Sequence, residues 1–349
     1  MSLFLTTACQ AKTYVFISLS ADKQLLLARL EAGKLHEIKR YPLEGAPGAI
    51  TFDPKHQVGF VSIRSNDTIS SFRFDATTEK LTPINSVTLE KGANATHLAT
   101  DHTGKWLISA SYSGGTVVVH GINEGKLISP ASDSHKTART AHFVHVSADN
   151  RFVMVPHVGT NSVHLFQFDA LKGKLTPTGM GAGGKEKAGP RHLAFLPNHP
   201  DVAFTSDEIG NSITRYDVKA DEKGILKMTP KETLSTLPAD FTGKNTTAEV
   251  KVHPNGKFVW VSNRGHDSLA GFAISPTGLK SIGQTPTEKT PRSFAITPDG
   301  KYLLSGGEGN GKMAIYSINS TSGELKKLES IGMGKSISWI AIGDWPDQK

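Results

Sequence analysis

The sequence repeats one short pattern six times, at a spacing of roughly 45 to 57 residues. Each copy holds two runs of alternating apolar and polar residues, separated by a turn such as Pro298-Asp299-Gly300-Lys301. Alternation with a period of two predicts β-strands, and the spacing is typical of four-stranded propeller blades rather than of helical repeats. The copies occupy residues 50–62, 98–109, 143–155, 193–204, 250–262 and 294–305.

The two ends of the chain supply strands for a seventh blade. Residues 13–19 form a second strand without a first, and residues 338–343 form a first strand without a second. Pairing of these segments closes the ring and removes an open sheet edge that would favour aggregation. The sequence therefore predicts an all-β, seven-bladed β-propeller with four-stranded antiparallel blades, closed by its N- and C-terminal strands. We expect one domain over residues 13–345, preceded by a tail over residues 1–12.

Charge and composition narrow the range of partners. The formal net charge of the 349 residues is +7, but the lysines are scattered through turns and form no stripe with aromatic residues. We therefore expect no nucleic-acid partner, and a monomer whose positive charge favours an anionic small molecule as ligand. No apolar run is long enough to cross a bilayer, so we expect no transmembrane segment. We also expect no metal ion and no other cofactor.

The beginning of the sequence leaves the cellular location open. Residues 4–10 include Cys9, the single cysteine, and are similar to the end of a bacterial lipoprotein signal. The segment lacks the basic start and the full apolar stretch of a signal peptide. We expect a cytoplasmic protein if Met1 is the native start. A periplasmic or lipid-anchored protein is expected if Cys9 belongs to a truncated lipoprotein signal.

The topology of a propeller predicts where a site lies. The innermost strand of each blade lines the central channel and the second strand returns beside it, so the start of the first and the end of the second share one face. Loops converge at this mouth, where ligands bind. Residues expected at the starts of the innermost strands include His97, His142, Arg191, His192, Glu249 and Arg292, and those expected at the ends of the second strands are Arg64, Tyr112, His157, Glu208, Arg264 and Glu308.

So many charged and imidazole groups at one mouth predict a ligand site, because neighbouring charges repel each other and lose hydration unless a ligand pairs with them. Arg64 and Glu308 are expected on the rim. A structural ion-pair network is the alternative interpretation for Arg191, Glu208 and Arg264. For each histidine taken singly, the alternative is a hydrogen-bonded structural role.

Several motifs resemble those of the seven-bladed propeller lactonase family, which includes the propeller-type bacterial 6-phosphogluconolactonase and the fungal carboxy-cis,cis-muconate cyclase. The resemblance extends blade for blade from about residue 14 to residue 342. The motifs are Ala-Gly-Pro-Arg-His at 188–192, Ala-Thr-His at 95–97, Ser-Tyr-Ser-Gly at 111–114, Ala-His at 141–142, Ser-Asn-Arg-Gly-His-Asp-Ser at 262–268 and Thr-Pro-Arg-Ser at 290–293.

The resemblance implies a lactone hydrolase, with a sugar lactone such as 6-phosphogluconolactone as the expected substrate. The His, two Arg and Glu proposed for the muconate cyclase branch correspond to the expected catalytic residues His142, Arg191, Glu208 and Arg264. The expected substrate-binding residues are His97, Tyr112, His157, His192, Glu249 and Arg292, with Arg292 as a candidate for binding phosphate. Many family members carry Asp at the position of His157, so this chain lacks that carboxylate.

Opening a lactone requires an activated water molecule and stabilisation of an oxyanion. Glu208 or His142 can serve as the general base. Arg191 and Arg264 can stabilise the oxyanion or bind a carboxylate or phosphate through paired hydrogen bonds. Two alternatives use the same polar mouth: a non-catalytic or periplasmic propeller that binds a sugar or an anion, and a muconate-type cycloisomerase.

Overall fold

β-Strands are the only regular secondary structure in residues 11–346, the part of the chain that the computed structural model describes. Cys9 and nearly all of the expected tail lie outside this range. No helix long and apolar enough to cross a membrane occurs within residues 11–346. The strands are β1 Lys12–Leu19, β2 Gln24–Glu31, β3 Lys34–Pro42, β4 Pro47–Phe52, β5 Val58–Ile63, β6 Thr68–Asp75, β7 Lys80–Thr88, β8 Ala95–Thr100, β9 Trp106–Ser111, β10 Thr116–Asn123, β11 Lys126–Leu127, β12 Asp133–Lys136, β13 His145–Val146, β14 Phe152–His157, β15 Ser162–Asp169, β16 Lys174–Ala182, β17 Pro190–Leu196, β18 His199–Asp207, β19 Ser212–Ala220, β20 Leu226–Ser235, β21 Thr246–Val252, β22 Phe258–Arg264, β23 Ser268–Ser275, β24 Gly278–Pro286, β25 Pro291–Ile296, β26 Tyr302–Gly307, β27 Lys312–Ile318, β28 Leu325–Gly332 and β29 Ile337–Trp345.

The strands form seven antiparallel sheets, which are the blades of the predicted propeller. Blade 1 has the order β29-β1-β2-β3, and blades 2, 4, 5, 6 and 7 follow the chain as β4–β7, β13–β16, β17–β20, β21–β24 and β25–β28. Blade 3 runs from β8 through β9 to β10, and its outer edge is divided between β11 and β12. Each blade contacts the next around a closed series, which confirms the seven-bladed ring.

Ring closure depends on β29 and β1. The two strands pair antiparallel from Lys12 opposite Trp345 to Leu19 opposite Ile337. The last strand of the chain is therefore the innermost strand of blade 1, as the sequence predicted. Apolar clusters fill the spaces between blades, and each joins side chains of neighbouring sheets. A single blade cannot cover both of its own apolar faces, so the ring is the stable unit.

A β-bulge near the start of the innermost strand recurs around the ring. In six blades the register of that strand against its neighbour shifts at this point. In four of these blades, one residue of the innermost strand has no partner on the neighbouring strand. These residues are Thr96, Arg191, Arg292 and Ser338. A bulge redirects a side chain that a regular strand would place elsewhere. These four side chains therefore sit at one height around the channel.

Replacement of Trp345 by alanine tests the ring closure. The indole is 5% exposed, packs on Phe16 and Phe74 at ring-centroid distances of 5.4 and 5.3 Å, and donates a hydrogen bond to the carbonyl of His56. Its removal leaves a cavity, and we expect the free energy of unfolding to fall by about 3–5 kcal/mol in urea titrations. The control is Leu171→Ala, at a residue that is 94% exposed, where we expect a change below about 0.5 kcal/mol. Equal, small decreases in the free energy of unfolding of the two variants would contradict a role of Trp345 in closing the ring.

Candidate functional site

A small cavity, called here the upper cavity, lies on the propeller axis at the face where the innermost strands begin. Its volume is about 10 Å³, roughly the room of one water molecule. Six of the seven blades contribute to its wall, and all four bulge residues are among the lining residues. The wall is formed by Gly48, Ala49, Arg64, Thr96, His142, Arg191, Arg292, Ser338 and Trp339. The bulges therefore place arginine side chains from two different blades against one point.

Two guanidinium groups hold the carboxylate of Glu208 beside the upper cavity. Arg191 Nε lies 3.0 Å from Glu208 Oε2, and Arg264 Nη2 lies 3.2 Å from Glu208 Oε1. Arg191 lies at the start of the innermost strand of blade 5, and Glu208 follows the second strand of that blade. Arg264 ends the second strand of blade 6. The fold thus brings together three residues that the sequence places at one mouth.

Burial and these charges set the protonation states at pH 7. Burial alone would raise the pKa of Glu208, but Arg191 and Arg264 hold that pKa below its ordinary value. Burial, together with the charge of Arg264, lowers the pKa of Arg191 to about 9. Burial, followed by the charge of Arg191, lowers the pKa of His142 well below 6.5. At neutral pH, Glu208 is therefore a carboxylate, Arg191 a cation and His142 a neutral imidazole.

Four buried polar atoms at this mouth have no hydrogen-bond partner within the protein. They are His142 Nδ1, Arg191 Nε, Glu208 Oε2 and Arg264 Nε. Arg191 Nε and Glu208 Oε2 are close enough for an ion pair, but they are not aligned as a hydrogen bond. Buried polar atoms without partners are rare and costly in folded proteins. His142 Nδ1 and Arg264 Nε, beside the poorly aligned Arg191–Glu208 ion pair, therefore indicate a site that can bind a polar ligand.

A chain of polar contacts runs from Arg191 down the channel. Arg191 Nη1 lies 3.1 Å from His192 Nε2, and His192 Nδ1 lies 2.8 Å from Glu249 Oε1. An arginine can only donate, so Nε2 of His192 accepts and Nδ1 carries the proton donated to Glu249. Lys251 Nζ lies 3.4 Å from the same Glu249 oxygen. These contacts fix the tautomer of His192 and, through it, the position of the Arg191 guanidinium.

The pKa values agree with this assignment. Burial lowers the pKa of His192 to about 4, against the raising effect of Glu249, so the ring is neutral at pH 7. Burial alone would raise the pKa of Glu249, but Lys251 and His192 hold it well below its ordinary value. His192 and Glu249 were expected to contact substrate. The structure places both one layer below the upper cavity, outside its wall.

Aromatic rings close the channel beneath the upper cavity. The His97 ring lies 5.3 Å from Trp339 and 6.0 Å from His192, and the Phe143 ring lies 4.9 Å from His192. His97 Nδ1 accepts a hydrogen bond from the backbone N–H of residue 144 at 3.2 Å. His97 therefore belongs to this lower layer. Above it, the half-buried Tyr112 ring stands edge-on to His142 at 5.6 Å and remains at the mouth.

Rim residues complete the mouth. Arg292 Nη1 lies 3.5 Å from Glu308 Oε2, and Arg64 Nε donates to Asn94 Oδ1 at 2.7 Å. Burial, followed by the charge of Arg292, lowers the pKa of Arg64 to about 10, so Arg64 remains a cation at pH 7. Both arginines also line the upper cavity. Arg64, expected only as a rim residue, is therefore part of the cavity wall.

The structure does not bring His157 to the mouth with the other residues. His157 pairs with Ala141 across its blade, as Ser111 pairs with Ala95 in blade 3. Val158, rather than His157, thus occupies the position that corresponds to Tyr112. A difference of one residue along a strand turns the side chain to the opposite face of the sheet.

The contacts of His157 are those of a structural residue. Its Nδ1 lies 2.9 Å from the carbonyl oxygen of Val155 and its Nε2 lies 2.9 Å from Thr137 Oγ1. Its ring lies 4.0 Å from that of His164. Both nitrogens are therefore occupied, one by blade 4 and one by the segment that follows β12 of blade 3, and His157 is not among the residues that line the upper cavity.

Sequence reasoning missed two wall residues, Ser338 and Trp339, and the buried contact of Lys251. Ser338 and Trp339 occupy in blade 1 the positions of Arg191 and His192 in blade 5. A comparison of the starts of the innermost strands that included the C-terminal strand would have found Ser338 and Trp339.

Within residues 11–346, no group of three or more His, Cys, Asp or Glu side chains is arranged to hold a metal ion.

The fold and this mouth define a class of protein, a seven-bladed propeller with arginine and histidine side chains around an axial cavity. Residues 13–342 match the family model described as "Lactonase, 7-bladed beta-propeller". The chain therefore belongs to the seven-bladed β-propeller lactonase family.

Known proteins similar to this chain carry related names. The chain is 30% identical over 342 residues to the 6-phosphogluconolactonase of Serratia proteamaculans, covering 95% of this chain and 99% of the relative. A putative 6-phosphogluconolactonase from Bacteroides uniformis has a TM-score of 0.85 at 23% identity, covering 95% of this chain and 100% of that chain. The periplasmic gluconolactonase of Pseudomonas aeruginosa has a TM-score of 0.81 at 22% identity, covering 95% of this chain and 99% of that chain. These two structures share the fold.

The structural role of His157 can be tested by the pH dependence of stability. Burial lowers its pKa to about 4 in the folded protein, whereas an unfolded histidine has a pKa of about 6.5. Between these values the unfolded chain binds the proton first, so acidification favours unfolding. We expect His157→Gln to flatten the fall of the unfolding free energy between about pH 6.5 and pH 4, by at most about 1.4 kcal/mol per pH unit.

His199→Gln is the control, because the side chain of His199 is 61% exposed. We expect the control to keep the wild-type slope in urea titrations at several pH values. A His157→Gln slope equal to that of wild type would show that His157 is not a buried neutral imidazole.

Proposed function

We propose that this chain is a lactone hydrolase that acts on a sugar lactone, with 6-phosphogluconolactone as the first candidate substrate. Family membership and the name of the Serratia relative support the reaction class. The observation that carries the proposal is the cluster of His142, Arg191, Glu208 and Arg264, in which His142 Nδ1 and Arg264 Nε have no hydrogen-bond partner and the Arg191–Glu208 ion pair is not aligned as a hydrogen bond. These are the donors and acceptors that a lactone carbonyl, its ring oxygen and a water molecule require.

His142 is the better candidate for the general base. Each carboxylate oxygen of Glu208 faces a guanidinium group, at 3.0 and 3.2 Å, so neither oxygen is available to take a proton from water. His142 is neutral at pH 7 and has a free ring nitrogen. A neutral imidazole can take a proton from water as the water attacks. We assign Glu208 to holding Arg191 and Arg264 in place.

The proposed reaction has two steps. Water attacks the lactone carbonyl carbon, His142 takes a proton from the water, and the carbonyl oxygen becomes an oxyanion that the Arg191 and Arg264 cations stabilise. The tetrahedral intermediate then collapses and the bond between the carbonyl carbon and the ring oxygen breaks. The imidazolium of His142 returns its proton to the departing oxygen. The product is the open-chain hydroxy acid, whose carboxyl group ionises at neutral pH.

Substrate entry requires side-chain movement at the mouth. A sugar lactone is larger than the upper cavity of about 10 Å³. Arg64 and Arg292 are the wall residues that extend to the partly exposed rim, so they are the groups that can swing outward. Arginine binds phosphate through paired N–H donors. We assign the phosphate of a 6-phosphorylated lactone to Arg292 and Arg64.

Hydrolysis of 6-phosphogluconolactone above the spontaneous rate is the direct test. We expect acceleration by the wild-type protein, and a fall in kcat of about 10²- to 10⁴-fold in His142→Asn, the range for loss of a general base. The matched control is His199→Gln, far from the mouth, with unchanged kcat. The acid limb of the kcat/KM profile should lie below pH 6.5, because burial and Arg191 lower the pKa of His142. Wild-type protein without acceleration on any lactone would leave a binding propeller as the function.

Removal of Arg292 tests the phosphate assignment separately. We expect Arg292→Ala to lower kcat/KM for 6-phosphogluconolactone by about ten- to a hundredfold, the cost of a charge-assisted contact. The same variant should retain its kcat/KM for unphosphorylated gluconolactone within about threefold, well below the loss expected for a charged contact. Equal losses on the two lactones would contradict a phosphate contact at Arg292. Arg151→Ala, at an exposed ion pair with Asp149, is the matched control.

A further inference from the structure

A second cavity, called here the lower cavity, opens at the opposite end of the channel. Its volume is about 570 Å³. The far ends of the innermost strands form its wall, with Phe52, Thr100, Val252 and Ile342 among the lining residues. The aromatic layer that contains His97 and Trp339 separates it from the upper cavity. The lower cavity is therefore a distinct compartment with its own opening.

The ionisable side chains of the lower cavity are all basic. Its lining residues include one lysine, Lys251, and four histidines, and no aspartate or glutamate is among them. The histidines are His56, His97, His102 and His145. His97 Nδ1 accepts a backbone N–H, so in the neutral ring Nε2 carries the proton and is a donor. The wall thus offers a cation and at least one N–H donor, and carries no charged acceptor of its own.

Lys251 is the one cation of this wall. Its side chain is 36% exposed, and its Nζ lies 3.4 Å from Glu249 Oε1. That oxygen already accepts a shorter hydrogen bond from His192, at 2.8 Å. The ammonium group has three N–H donors, so contact with Glu249 leaves donors for a ligand in the cavity.

The channel as a whole has an excess of positive charge. Its five cations face only three carboxylates. The cations are Arg64, Arg191, Arg264, Arg292 and Lys251, and the carboxylates are Glu208, Glu249 and Glu308. Charges inside a low-dielectric channel are poorly screened. The excess lies among the four arginines at the upper end, and their poorly screened field favours an anion over a cation at the lower end, where Lys251 is paired with Glu249.

We propose that the lower cavity binds a small organic carboxylate with an apolar body, whose carboxylate contacts the Lys251 ammonium group. The apolar body would pack on Phe52, Ile342 and the other apolar wall residues, which favour removal of apolar surface from water. An inorganic phosphate would leave these walls without a partner. The site is separate from the proposed lactone site, and its existence does not depend on turnover.

Calorimetric titration of the whole protein with benzoate tests the proposal, with benzamide as a neutral probe of the same shape. We expect benzoate to bind at least about tenfold more tightly than benzamide, because a charge-assisted contact contributes more than a neutral one. Lys251→Met should weaken benzoate binding by about ten- to a hundredfold. Lys251→Arg should bind as wild type does. Equal affinities for the two probes, or no binding of benzoate, would overturn the proposal.

Two controls assign the bound probe to the lower cavity. Lys326→Met removes an exposed lysine from the outer strand of blade 7 and should bind benzoate as wild type does. Arg292→Ala weakens any anion site in the upper cavity and should also leave benzoate binding unchanged. Loss of binding in Arg292→Ala with retention in Lys251→Met would place the anion at the upper mouth and overturn the proposal.

Histidine NMR signals supply a measurement that needs no variant. We expect saturating benzoate to shift the imidazole signals of His97 and His145, which line the lower cavity, and to leave the signal of His142 unchanged. A shift confined to His142 would contradict the proposal. This readout stands even if Lys251→Met fails to fold, and it does not require the protein to hydrolyse a lactone.

Discussion

The antiparallel pairing of β29 with β1 is the contact on which both the ring and its site depend. Ser338 and Trp339, two wall residues of the upper cavity, belong to β29 and are held in position by its pairing with β1. Ser338 Oγ donates to the carbonyl of Pro47 at 2.9 Å, and Trp339 Nε1 to that of Ile50 at 3.1 Å. The last strand therefore ties blade 1 to blade 2 while it completes the cavity. A site built from innermost strands exists only in the closed ring, so stability and function share one requirement.

The proposed ligand site explains the charges at the upper mouth better than a stabilising role does. A buried ion pair seldom recovers the hydration that its charges lose, and apolar replacements are often as stable or more so. Arg191 is only 1% exposed, and its pKa falls because burial and Arg264 disfavour its charge. The apolar clusters between blades offset this cost. A ligand that bonds Arg191, Glu208 and Arg264 gains from groups already oriented in a site with little water. The His192–Glu249 pair fixes one of these groups before any ligand arrives.

The sequence predicted the ring more fully than the site. Blades depend on local signals, namely period-two alternation and turns such as Asp299-Gly300, and these can be read from a single chain. Positions at the mouth also depend on register, which bulges change by one residue. His157 was placed at the mouth by counting along its strand, whereas its pairing with Ala141 turns its side chain away from the mouth. The tautomer of His192 depends on a contact with Glu249, 57 residues away in the sequence, so no local pattern could show it.

The electrostatics of the upper mouth connect the proposed phosphate contact to the proposed base. After burial, the cations Arg191, Arg292 and Arg64 are among the causes that keep the pKa of His142 low. A phosphate held by Arg292 and Arg64 brings negative charge to this mouth and offsets part of their field, so the pKa of His142 rises toward neutrality in the complex. A base is most effective when its pKa lies near the working pH. In the proposed reaction, the phosphate therefore contributes to the chemical step as well as to binding, because its charge raises the pKa of the base that activates the attacking water.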